Sequence, residues 1–543
     1  MHQIIKYIGH TLERHKGCDL IDIYPGAGLW SQKLNKFLEP RSHILMEPDE
    51  NLYRPFLEPI LRKPGSILVP KSGIVWRELN SVLTPEYLPH QKPIEAGTTN
   101  PPRNDTLLVT ANIAFHPKKR FKSFDSIALL VYHQLLSSIR TSTLFQQYGQ
   151  VRMLIWSRPE DMSSLLPRYM QRRRRGAIDG ELLCEWVREV CGRDLLGNYW
   201  YVRDTATEVH SSLRTRQRMR EHRMRVPAER ATEGMIEAKF SRKKPPGKAP
   251  PEFKRPFNDT LLQLETKHKK QVFTTDSGEF KSMKAYQWRW SAEKKRYEKM
   301  HNMMTDVDTI TALYKAGNAE STPKERARLI AEWHDKMRHE RGGFVQEFTT
   351  YRDNLHYPLT VRADEFLPNI ECTLVDIQPR DDVHPLLRQA GPQSNRAADT
   401  LDMIMGTLLA HSTMAVPHLL DAVWPGAAEF IMPRWTSIRD LERGEGVPDM
   451  YGNDAAAAAA SAAAAAGEPS AGPARHTSYN HRHQYLEITP RMLNARQWEQ
   501  LIELWMQWPF RPELHELIAR TQDIDDSNSS TGSEGAEGFG AAD

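Results

Sequence analysis

With 543 residues, 36 prolines and a mean hydropathy of −0.60, the chain exceeds one ordinary core; at roughly 150 residues per domain it holds two to four units, with much chain outside them. Its four cysteines (Cys18, Cys184, Cys191, Cys372) include no C-x-x-C pair, which argues against a zinc site or a disulfide scaffold and for a reducing compartment; no apolar run approaches the ~20 residues of a membrane span. Net charge is only +4, yet residues 168–256 hold 22 Lys or Arg against 12 Asp or Glu, an asymmetry that suits either a polyanionic partner or a solvated linker.

Met1 to Gly17 reads as a short amphipathic helix, with Ile4, Ile5, Ile8 and Leu12 at helical spacing and without the Arg- and Ser-rich character of an organellar presequence. Asp19–Tyr24 is a compact strand ending in Pro25-Gly26-Ala27-Gly28, and Leu29–Leu38 has helical spacing. His43–Met46, Thr106–Ala111 and Val151–Trp156 are further strands, with a buried helix over Ser126–Ile139. Strands alternating with helices in this way predict an α/β, Rossmann-like fold: a parallel sheet covered by helices on both faces.

From Arg168 the character changes. Arg172, Arg173, Arg174 and Arg175 form an uninterrupted quartet, and Arg214, Arg216, Arg218, Arg220, Arg223 and Arg225 a second cluster. Leu183, Val187 and Val190 predict a helix over Leu182–Val190, and Ser241–Pro256 reads as extended linker. Residues 279–340 are helical and highly charged, with Trp288, Trp290 and Trp333 among the apolar positions. A second ordered block begins near Pro368, with a strand at Cys372–Ile377 and helices at Thr400–Leu409 and His418–Val423. Ala455–Ala466 is low-complexity chain inside a linker, Arg491–Arg520 is helical around Trp505, Trp508 and Phe510, and the acidic end is disordered. The expected division is 1–167 for the N-terminal part of the α/β domain, 168–278 for a basic insertion and 279–367 for a charged helical segment. The rest of the core and the start of a smaller helical domain follow at 368–440, a linker at 441–480, the C-terminal helices at 481–520 and a tail at 521–543.

Gly26 and Gly28 follow a strand and open a helix, so they let backbone amides approach an anionic or polar ligand. Glu47, nineteen residues past Gly28 at the end of the next strand, stands where an acid grips a ribose diol. A tight strand-to-helix turn needs glycine without any ligand as well. Asn112, with Phe115 three positions on, ends the TLLVTA strand: an amide to accept from an exocyclic amine and a ring to stack suit a flipped base. The alternative for Asn112 is a loop residue that caps the next element. His476, His481 and His483 lie close together but without Cys or a paired acid, so no metal site is expected. Tyr286, Trp288 and Trp290 interleave with basic residues, which fits either single-stranded nucleic acid or a helix packing on the core.

The strings DIYPGAGLWSQKL (Asp22–Leu34), MEPD (Met46–Asp49) and ANIAF (Ala111–Phe115) resemble the ordered motifs of the rRNA adenine N6-dimethyltransferase family. VRMLIW (Val151–Trp156) and LIELWMQWPFRPEL (Leu501–Leu514), with its Trp508-Pro509-Phe510-x-Pro512 cluster, more specifically resemble its fungal mitochondrial transcription factor 1 members, counterparts of mitochondrial transcription factor B. The resemblance covers about 18–167 and 368–520. It implies an S-adenosylmethionine methyltransferase fold reused, in the mitochondrial matrix, to help a single-subunit mitochondrial RNA polymerase melt promoter DNA and hold the opened strand. The implied S-adenosyl-L-methionine pocket is Tyr24, Gly26, Gly28, Glu47 and Asn112, with Asn112 and Phe115 catalytic only if methylation of rRNA survives. The family's enzymes have Gly where this chain has Tyr24, and proline is missing from Asn112-Ile113-Ala114-Phe115. The acid that contacts the cofactor's adenine falls near Ser72 or Gly73, neither acidic. The pocket is therefore expected to be vestigial, and the cofactor unnecessary. The basic chain, Arg172 to Arg175 with Arg214, Arg216 and Arg218, is expected to contact nucleic acid.

Overall fold

The computed structural model describes residues 1–95, 98–114, 126–167, 173–192, 357–366, 369–412, 414–438 and 489–520, with short stretches within 215–231, 261–266 and 286–298. Among these, eight strands form one mixed, mostly parallel sheet: β1 (Asp19–Ile23), β2 (Ser42–Met46), β3 (Ser66–Val69), β4 (Arg103–Asn112), β5 (Gln150–Ser157), β6 (Cys184–Gly192), β7 (Leu359–Thr360) and β8 (Thr373–Pro379). Their order is β3-β2-β1-β4-β5-β8-β6-β7. The α/β expectation holds, but the sheet is not purely parallel, because β8 runs antiparallel to both β5 and β6.

Alternate residues of each central strand serve opposite faces, as the pleat requires. Ile21 and Ile23 of β1, Leu107 and Val109 of β4, and Met153 and Ile155 of β5 join one apolar cluster. Leu20, Leu108, Leu154 and Trp156 join another. A strand covered on both faces is apolar on both, which is why DLIDI reads as a run and not as an alternation. On the second face lie α1 (His2–Leu12) and α2 (Leu29–Leu38). On the first lie α5 (Ile127–Thr141), α6 (Pro159–Leu165) and α7 (Arg175–Leu183). Helix α3 (Glu50–Leu61) packs Leu57 and Ile60 on Leu45 of β2, and the short α4 (Trp76–Asn80) follows β3.

The helix expected over Leu182–Val190 is overturned. Helix α7 stops at Leu183, and Cys184–Gly192 is strand β6, paired with β8 from Cys184↔Pro379 to Cys191↔Leu374. Leu183, Val187 and Val190 fit a short helix or strand equally, and β-branched valines beside Trp186 favour the strand once a partner edge is present. The sheet thus continues past residue 167, and the expected basic insertion contains one of its strands.

Helices α8 (Ala397–Ala410), α9 (Val416–Val423), α10 (Ala427–Ile431) and α11 (Ala495–Gln507) follow β8. Their apolar residues, with Trp435, Trp498 and Trp505 fully buried, belong to the same cluster as Ile21 and Met153 of the sheet. Helix α11 opens with a capping box: the Asn494 side chain accepts from the Gln497 amide and the Gln497 side chain from the Asn494 amide, both at 2.9 Å. At its other end Trp508 is buried and stacks on Phe430 at 6.2 Å between centroids, whereas Phe510 is 80% exposed.

One buried charge cluster ties β5, β8 and β6 to the N-terminus. Asp376 accepts from Arg152 Nε and Nη2 at 2.8 and 2.7 Å, and from Arg188 Nε at 2.7 Å. Arg152 also donates to the Thr11 carbonyl at 2.7 Å, and the Trp186 ring lies 4.8 Å from the Arg188 guanidinium. Arg152 and Asp376 are both 0% exposed. Burial alone would raise the Asp376 carboxyl, but the two guanidinium groups hold it well below the usual carboxylate range.

Candidate functional site

Beyond β1 the sheet proceeds to β2 and β3 on one side and to β4 and β5 on the other. The crevice outside the carboxyl ends of β1 and β4 is therefore a topological switch point, where open α/β sheets bind ligands. The register Ile23↔Ala111 places Tyr24, the first residue after β1, level with Asn112, the last residue of β4. The geometry of the sheet and the glycine turn thus single out the same place.

Glu47 directly follows β2 and is 3% exposed. Its carboxylate faces the turn: Gly26 N–H donates to Oε2 at 3.0 Å and Asp49 N–H to Oε1 at 3.2 Å. Burial raises its pKa above the usual range, the two amides oppose that, and the charges of Asp49 and Asp22 add to it. Both oxygens expected to grip a ribose diol hold the protein's own backbone.

Tyr24 sits at φ +56°, a left-handed conformation that a bulky residue adopts only under constraint from its surroundings. Its amide donates to the Met46 carbonyl at 2.9 Å, and its hydroxyl lies 2.6 Å from Ser72 Oγ in the loop after β3. Tyr24 thereby links the turn after β1 to the loop after β3, the strands on either side of β2. Burial raises the Tyr24 phenol, Ser72 opposes that, and Glu47, Glu78 and Asp49 push the same way as burial. Ser72 is fixed in turn, its amide donating to Glu78.

The two glycines have different reasons. Gly28 is at φ +68°, and a Cβ there would lie 2.6 Å from Leu57 Cδ2, so the approach of α2 to α3 requires it. At Gly26, φ +55°, a Cβ would meet only Tyr53 Cε1 at 3.9 Å, an ordinary contact, so its backbone conformation is what asks for glycine. Asn112 holds its own loop, its Oδ1 accepting from the Ala114 amide at 3.2 Å, and Arg158 Nε donates to the Ala114 carbonyl at 2.8 Å. Phe115 lies outside the described residues.

The arginine quartet separates. Arg172, Arg214, Arg216 and Arg218 lie outside the described residues. Arg173 is 3% exposed, bonded to Glu181 and to the Arg491 carbonyl. Arg175 pairs with Asp402 at 2.8 Å and reaches Asp179 at 3.5 Å. The expected nucleic-acid role of Arg173 is corrected on that ground, because a buried, ion-paired guanidinium presents no charge to a phosphate; Arg175 is likewise tied to two acids, while Arg174 is exposed. Of the aromatic alternation, Tyr286 is buried with its hydroxyl donating to the Leu264 carbonyl, Trp288 is 75% exposed, and Lys294 sits 5.4 Å from the Trp290 ring. His476, His481 and His483 lie outside the described residues, and no cluster of metal-binding side chains occurs among those described. No described helix is long and apolar enough to cross a membrane.

Ser72 is the participant that sequence reasoning assigned no role beyond a missing acid. Its link to Tyr24 joins positions 48 apart, a pairing that no local pattern announces. Each Glu47 oxygen already accepts one loop amide, and the Tyr24 hydroxyl is held by Ser72, so the residues of the expected pocket are bonded to one another. No protein-family model matches the chain, and no curated protein matches it.

Proposed function

We propose that the chain is a mitochondrial transcription initiation factor, acting in the matrix with a single-subunit mitochondrial RNA polymerase on a methyltransferase-like fold that no longer needs its cofactor. The observation that carries the reading is the set of internal bonds at the switch point, where Glu47 holds Gly26 and Asp49 while Tyr24 reaches Ser72. An enzyme that must hold a methyl donor keeps such groups for it; a protein that uses the fold as a scaffold has no such need. The resemblance of Val151–Trp156 and Leu501–Leu514 to the fungal transcription factors supplies the partner class. The exposure of Phe510, beside the buried Trp508, leaves an aromatic ring available to polymerase or to an unstacked promoter base. The division of the C-terminal helices into a domain of their own belongs to this proposal also.

The test is transcription reconstituted with the mitochondrial RNA polymerase of the same organism on a linear promoter duplex, with opening followed by a fluorescent base analogue near the start site. The expected result is start-site opening and run-off product only when both proteins are present. No dependence on this protein for either would end the reading. The alternative, an active rRNA adenine N6-dimethyltransferase, retains one favourable observation: Asn112 stands at the switch point beside the glycine turn. Methyl transfer from labelled S-adenosylmethionine to rRNA would revive it.

A further inference from the structure

We propose that the outer face of the helix over residues 286–295, centred on Trp288, is a stacking platform for single-stranded DNA. The choice of DNA over RNA rests on the transcription reading. The platform itself rests on the geometry of this helix, which lies outside the stretches that resemble the methyltransferase family.

Burial assigns the two faces. Tyr286 is buried, and Trp290, Glu293 and Tyr297 are half-buried, at successive spacings of four, three and four residues. That is one face of an α-helix. It is held in place, because the Tyr286 hydroxyl donates to the Leu264 carbonyl, and Leu261 and Leu264 are themselves buried. Trp288 stands two residues past Tyr286, a rotation of about 200°, and so points away from that contact. It is 75% exposed; among the described large apolar side chains only Phe510 is more so. The packing of the helix therefore accounts for Tyr286 and leaves Trp288 without a structural task.

A single exposed apolar residue needs no explanation by itself. What distinguishes Trp288 is the face around it. Ser291 and Ala292, one turn further on the same side, are small and exposed, so a planar ring can lie along the helix against the indole. Lys295, two turns on and about 10 Å along the axis, brings an exposed ammonium to that face. Arg289 and Lys294 are exposed at its flanks. The acids stand elsewhere: Glu293 belongs to the inner face, and Glu298 lies 4.0 Å from Lys294, beyond the platform.

Charge and shape together select the occupant. An acidic peptide would answer the cations but offers the indole no obligatory ring. A membrane surface asks for a broad apolar stripe, and this face carries one large apolar residue. A duplex hides its base faces in the stack. A single strand presents an unstacked base to Trp288 and phosphates to Lys295 and its neighbours.

The experiment is fluorescence anisotropy of labelled oligo(dT) with the full chain, comparing the wild type with Trp288→Ala, Trp288→Phe and Lys295→Ala over a salt series. Trp288→Ala is expected to weaken binding roughly fivefold to a hundredfold, the range of one lost base–aromatic stack, and Trp288→Phe should recover most of it. Lys295→Ala should reduce the slope of log affinity against log salt by about 0.7, one phosphate contact on a single strand. Wild-type chain that does not bind oligo(dT) overturns the proposal, as does equal affinity in Trp288→Ala. An equal loss on duplex DNA, or tighter Trp288-dependent binding of oligo(U), overturns the choice of single-stranded DNA. Sedimentation and thermal unfolding of Trp288→Ala read the other occupants: a dimer lost, or a midpoint lowered by several degrees, would show the indole covered by a second copy or by this chain, and would overturn it too. No polymerase is present, so failure here leaves the promoter assay standing, and failure there leaves this binding intact.

Discussion

Replacing Asp376 with asparagine removes one negative charge from a site that holds two guanidinium groups and no water-facing surface. Asp376 and Arg152 are 0% exposed and Arg188 is 6% exposed, so neither arginine can turn outward to recover hydration. Asparagine has nearly the same shape and keeps one carbonyl oxygen, so little packing is lost. What changes is that three charge-assisted bonds weaken and two buried cations face each other without a counter-charge. Breaking a buried pair by removing one partner costs about 3–5 kcal/mol. Against a typical total of about 5–15 kcal/mol, that is a large fraction of the stability. Urea unfolding followed by circular dichroism reads the loss, because the three residues stand on adjacent strands of the sheet. The expected result for Asp376→Asn is a loss of several kcal/mol, partly restored by Asp376→Asn/Arg188→Leu, which removes one of the stranded cations. A loss below about 1 kcal/mol, or no restoration in the double variant, would refute the claim that the cluster is a compensated unit.

Two further outcomes follow from the same physics. Burial, with Arg152 and Arg14 nearby, pushes His15 down from 6.5 to about 3, so between those values the folded chain binds fewer protons there than the unfolded one. Stability should fall as the pH drops from about 6.5 towards 3, at up to about 1.4 kcal/mol per pH unit from this group; an unchanged slope in His15→Gln would show that the histidine is not its source. Gly28→Ala places a Cβ 2.6 Å from Leu57 Cδ2 at a left-handed position, and should cost about 1–3 kcal/mol in the thermal or urea midpoint. A neutral result there would mean that α3 yields easily.

Much of the sheet was legible because its signals are local. DLIDI, HILM and VRMLIW are short apolar runs between turns, and Leu29–Leu38 coincides with α2. The reversal of β8 was not legible, since a strand's sequence carries no mark of its direction. Strand β6 was misread because Leu183, Val187 and Val190 stand at helical spacing, and nothing local announces the strand edge that pairs with Cys184–Gly192. At the site, Glu47 announced itself by its distance from the glycines, but its partners are backbone amides, which every sequence has. The arginine quartet misled for a related reason: the acids that bind Arg173 and Arg175 include Asp402, more than two hundred positions away, and a charge run does not say where its counter-charges stand.

The antiparallel strand β8 has a consequence for how the molecule is made. Asp376 and Arg152 are 224 positions apart, and the strands that carry them are immediate neighbours. A ribosome therefore releases β1 to β6 well before the strand that belongs between β5 and β6 exists. Until it arrives, one edge of β5 offers unpaired amides and carbonyls, and Arg152 has no counter-charge. The nascent chain must hold a gap one strand wide through much of its synthesis, which makes it a natural client for a chaperone that masks sheet edges. A fragment ending before Thr373 should for the same reason be recovered as aggregate, although it contains the whole glycine turn and Glu47.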